Sequence, residues 1–101
     1  MRSVKRPTNT RANYEYELKE LRSMVNEIDE AIIEDIANRL LVARTIGTLK
    51  KIHNQPVKDQ KREKELNKLH EMYCKKYKIS LSTIKKIFTL IIEESKRLQK
   101  A

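Results

Sequence analysis

Glycine occurs once in the 101 residues, proline twice and tryptophan not at all. Sheets need turn residues at each chain reversal, so this shortage excludes a strand-rich fold and points to long helices washed by solvent. The single cysteine, Cys74, cannot close an internal disulfide and has no neighbours suited to a metal site. It reads as a spectator thiol in a reducing compartment. His53 and His70 lack ligand spacing as well, so no metal is expected. No apolar run approaches the length of a membrane span, and no membrane partner is expected. Residues 1–13 are polar and basic, without the apolar stretch of a secretory signal, and are expected to form a flexible basic N-terminal tail. The expected location is cytoplasmic.

What is abundant is charge: 37% of the residues are Asp, Glu, Lys or Arg, and the net charge is +9. Residues 1–14 hold four basic and no acidic side chains, 15–35 hold two and eight, and 36–101 hold seventeen and six. The basic character is thus spread over several helices, with no interleaved aromatics on which bases could stack. It suits an anion of any size, and nucleic acid is not the expected partner.

A chain of this length supports one core, so residues 14–101 are expected to form one domain. Leu18, Leu21, Val25, Ile28, Ile32, Ile36, Leu40, Ala43 and Ile46 recur at intervals of three and four, which predicts helix 1 over about 14–53. Pro56 in Asn54-Gln55-Pro56-Val57-Lys58 ends it. Asp59 stands where an N-cap belongs, predicting helix 2 over about 59–77. Ser80 is the next cap, and Leu81, Ile84, Ile87, Phe88, Ile91 and Ile92 give helix 3, about 81–100, its apolar face. The class is all-α, a three-helix protomer with a very long first helix. Helix 1 would be about 55–60 Å long, whereas a globule of this size spans about 30–35 Å. Its apolar stripe would overhang, which argues for a homodimer with the long helices packed together.

Three cations punctuate helix 1. Arg39 and Lys50 are eleven residues apart, three turns to within about 20°, so they share a face about 16 Å apart and could close on a small anion. Arg22 lies about 25 Å from Arg39 along the same helix and is rotated by about 100°, so a shared ligand would need Arg22 from a partner chain. Asp59, Arg62 and Glu63 fall on one face of the first turn of helix 2. Ser95 and Gln99 form a polar pair on helix 3. Taken singly, each of these is ordinary helix surface or, for Asp59, a cap.

Together they carry a resemblance. Leu21-Arg22, Ile28-Asp29, Asn38-Arg39, Ile46-Gly47 with Lys50, Pro56-Val57-Lys58-Asp59 running into Arg62-Glu63, and Ile91-Ile92-Glu93-Glu94-Ser95 with Gln99 resemble the all-helical chorismate mutases, without insertion or deletion, over about residues 18–99. The resemblance implies an intertwined helical homodimer that rearranges chorismate to prephenate without a cofactor. Each of its two sites would take Arg39, Lys50, Asp59, Arg62, Glu63, Ser95 and Gln99 from one chain and Arg22 from the other. Arg22, Arg39 and Ser95 would hold the carboxylates, and Glu63 with the backbone at Asp59 would take the ring hydroxyl. Arg62 would orient Glu63, while Lys50 and Gln99 would face the ether oxygen. The alternatives are an isochorismate pyruvate-lyase of the same fold, a basic helical nucleic-acid-binding dimer, and a purely structural helical dimer. The adjacent Arg62-Glu63, suited to a ring hydroxyl, favours the mutase.

Overall fold

The computed structural model describes residues 10–100, all-helical in the order α1 (Arg11–Ile52), α2 (Gln60–Tyr77) and α3 (Leu81–Lys100). Most of the expected basic tail, residues 1–9, lies outside the described residues. Its last three residues are not tail: α1 begins at Arg11, three positions before the expected Tyr14. Thr10 is the cause. Its hydroxyl accepts from the Asn13 N–H at 3.3 Å and its carbonyl from the Tyr14 N–H at 3.0 Å, satisfying donors that a helix start leaves open.

The chain divides into two units, one ending at Ile36 and one starting at Ala37. In the first, the described structure is α1 alone. Leu18 and Leu21 are half-buried there, whereas Val25, Ile28, Ile32 and Ile33 are exposed.

The second unit holds the rest of α1 together with α2 and α3. Helix α1 stops in a hydrogen-bonded reversal. Asn54 takes the left-handed conformation (φ 55°), with its N–H donating to the Lys51 carbonyl at 3.2 Å and that of Gln55 to the Lys50 carbonyl at 2.8 Å. This is a Schellman closure with asparagine in the place glycine usually holds, and Pro56 follows where it cannot prolong the helix. Asp59 caps α2 by accepting from the Arg62 N–H at 3.1 Å. Lys78 ends α2, again left-handed (φ 55°), and its N–H and that of Ile79 both reach the Cys74 carbonyl. Ser80 then opens α3, its hydroxyl accepting from the Thr83 N–H at 3.3 Å.

Helices α2 and α3 pack through His70 against Phe88, ring centroids 4.2 Å apart, and around Cys74. Among the described residues Cys74 is the one hydrophobic side chain that is buried. No described helix is long and apolar enough to cross a membrane.

Candidate functional site

Within the second unit, the end of α1, the start of α2 and the end of α3 line an open cavity of about 270 Å³. Seven of the eight residues singled out from sequence line it: Arg39 and Lys50 from α1, Asp59, Arg62 and Glu63 from the start of α2, and Ser95 and Gln99 from α3. The eighth, Arg22, lies in the first unit, exposed, in a groove with Arg11, Tyr14, Glu15, Leu18, Lys19, Ser23 and Asn26.

The charged lining comprises five cations, Arg39, Lys50, Lys58, Arg62 and Lys96, against the carboxylates of Asp59 and Glu63. A local surplus of positive charge favours an anion. Arg39 shows this most directly. Its guanidinium carbon sits 5.6 Å from the Phe88 ring centroid, a cation–π contact, and among the described residues no carboxylate lies within ion-pair distance of it. Burial, and after it the neighbouring Arg62, lower the pKa of Arg39, so its positive charge is one that an incoming anion would relieve. The same neighbourhood acts on His70, whose imidazole is held below its ordinary value by burial, then by Arg39, then by Arg62.

The donors are fixed by backbone carbonyls. Lys50 Nζ donates to the Val57 carbonyl at 2.9 Å, tying the last turn of α1 to the loop before α2. An ammonium has three hydrogens, so two remain for a ligand. Gln99 Nε2 donates to the Ala43 carbonyl at 2.7 Å and keeps its second N–H. Ser95 is buried, and its hydroxyl donates to the Ile91 carbonyl one turn back at 3.0 Å. To donate to a ligand it must turn that proton outward. The side chain of Asp59 is occupied as the cap of α2.

One expectation is corrected. Arg62 does not orient Glu63: its guanidinium pairs with Glu65 at 3.4 Å, while Glu63 pairs with Lys96 of α3 at 3.7 Å. Consecutive residues on a helix point about 100° apart and do not face each other, whereas i and i+3 do. Lys96 was therefore missed, as was the Val57 carbonyl; only a helix-to-helix register could have revealed them. Among the described residues no three His, Cys, Asp or Glu side chains gather as a metal site.

Comparison with known proteins gives a consistent result. The family model for chorismate mutase type II matches residues 21–100, a span that contains all eight site candidates. The chorismate mutase of Methanocaldococcus jannaschii is 34% identical over 83 residues, covering 82% of this chain and 84% of that protein. The bifunctional chorismate mutase/prephenate dehydratase of Buchnera aphidicola subsp. Schizaphis graminum is 37% identical over 84 residues, which is 83% of this chain and 22% of that protein. No solved structure matches the chain.

Proposed function

Because the chain belongs to the chorismate mutase type II family, we propose that it converts chorismate to prephenate and that the cationic cavity between α1, α2 and α3 is where it does so. The observation that carries this reading is the convergence of Arg39, Lys50, Glu63, Ser95 and Gln99, from three helices, on one small cavity with excess positive charge.

The reaction breaks a carbon–oxygen bond and forms a carbon–carbon bond within one dianion. It needs no acid, base or nucleophile, so the protein contributes conformation and electrostatics. Arg39 and Ser95, with Arg22, hold the two carboxylates and fold the enolpyruvyl arm over the ring. Glu63, braced by Lys96, accepts a hydrogen bond from the ring hydroxyl, which also meets the backbone at Asp59. Arg62 adds positive potential. As the ether bond lengthens, charge grows on its oxygen, and the spare N–H groups of Lys50 and Gln99 meet it. Donors aimed at charge that exists only in the transition state raise kcat more than they tighten binding.

Arg22 completes the site from a second chain on this reading, since it stands seventeen positions before Arg39 on the same helix. The exposed Val25, Ile28, Ile32 and Ile33 support such a homodimer, because a contiguous apolar surface of this kind needs a cover and a second α1 offers one. The protein would work in the cytoplasm.

The test is direct. Purified protein treated with EDTA should consume chorismate, followed by its absorbance, and form prephenate at the untreated rate. No turnover, or turnover only with added metal, would overturn the proposal.

A further inference from the structure

Gly47 is the chain's sole glycine, and it stands inside α1 rather than in a turn. Glycine is the poorest helix former after proline, so its presence there calls for a reason. Backbone conformation is not that reason, because Gly47 does not have a positive φ. Space is. A Cβ at position 47 would lie 2.7 Å from Gln99 Cγ, 3.1 Å from its Cβ and 3.4 Å from its Cδ. The two nearest atoms are at the root of the Gln99 side chain, which cannot swing aside as a chain end can. Relief would need a new χ1 rotamer or a shift of the last turn of α3.

Either movement would disturb the bond from Gln99 Nε2 to the Ala43 carbonyl, which lies one turn before Gly47 on the same helix. The geometry points to Gly47 as a positioning residue for the reaction: the missing side chain lets Gln99 lie against α1, where the Ala43 carbonyl fixes its amide and leaves one N–H to face the substrate. This inference rests on the reading of Gln99 as a donor to the ether oxygen.

A double-mutant cycle tests it, with Gly47→Ala, Gln99→Ala and the double variant compared with wild type. Gly47→Ala should lower kcat about tenfold or more, since displacing a catalytic group by a fraction of an ångström to 1 Å costs up to about 10² in rate. KM should change less than kcat. In the Gln99→Ala background the same substitution should cost no further kcat, because no amide is left to displace. There the melting temperature should fall less than in the wild-type background, because the 2.7 Å contact with Gln99 Cγ is gone and only the 3.1 Å contact with the Cβ at position 99 remains. A merely structural glycine would give equal losses in both backgrounds, and that result would overturn the inference, as would an unchanged kcat in Gly47→Ala alone. Full kcat in Gln99→Ala is a different failure, one that removes Gln99 from the reaction and the premise with it.

Discussion

Lys50 donates to the Val57 carbonyl at 2.9 Å, so the residue proposed to meet the developing charge also holds the loop that delivers Asp59 and Glu63. Lys50→Ala keeps a strong helix former but removes both functions. Loss of one donor in such a site costs about 3–4 kcal/mol of barrier, or 10² to 10³ in kcat, whereas loss of the tether costs about 1 kcal/mol of stability. Steady-state kinetics and thermal melts should therefore show a large fall in kcat with a folded protein. A kcat within threefold of wild type would remove Lys50 from the site.

Gln99 donates at every pH, because its amide does not titrate. Gln99→Glu should be active mainly in acid, where the new carboxyl is protonated and can donate, and should lose activity as pH rises and a negative charge comes to oppose the ether oxygen. The measurement is kcat against pH from 5 to 8 for both proteins. Superimposable profiles would place residue 99 outside the chemistry.

His70 predicts an effect on stability. Burial, Arg39 and Arg62 hold its folded pKa below the ordinary value, so as pH falls through about 6.5 the unfolded chain takes up a proton that the folded one resists. The folded state loses stability in that window and is unaffected by this group above it. His70→Leu has no such proton to take up, so its melting temperature relative to wild type should rise between pH 7.5 and 5. A constant difference across that range would show that the folded imidazole titrates normally.

Shared sites predict complementation. Mixed Arg22→Ala and Lys50→Ala chains, each inactive alone, should recover up to about a quarter of wild-type activity, because half of randomly paired dimers are mixed and each mixed dimer keeps one intact site. Demonstrated subunit exchange with no recovery would put Arg22 out of reach of the partner's cavity.

The three helices were legible because each carries its own periodicity, and two of them announce their start with Asp59 and Ser80. The α1 start at Arg11 was hidden, since Thr10 lies in a polar segment with no apolar stripe to mark it as a cap. Within the site, the eleven-residue spacing of Arg39 and Lys50 carries its geometry in one dimension, along a helix. Lys96 on Glu63 and Ala43 under Gln99 belong to the register between helices, which no local pattern encodes. The adjacency of Arg62 and Glu63 misled for a related reason: neighbours in sequence are not neighbours across a helix surface.

The two left-handed positions and the sole glycine are mismatched in a way that bears on engineering. Asn54 and Lys78 hold the turns where glycine would fit best, while glycine occupies a helical position where alanine would be favoured by about 0.8–1.0 kcal/mol. A screen for heat resistance alone would collect Lys78→Gly, relieving a left-handed lysine that costs about 1–2 kcal/mol. Where residue 99 has itself become glycine, so that neither its Cγ nor its Cβ stands in the way, it would collect Gly47→Ala as well. A lineage stabilised without regard to turnover would therefore drift towards a sturdier and catalytically idle helical protein, and only growth that depends on the product would keep glycine at position 47.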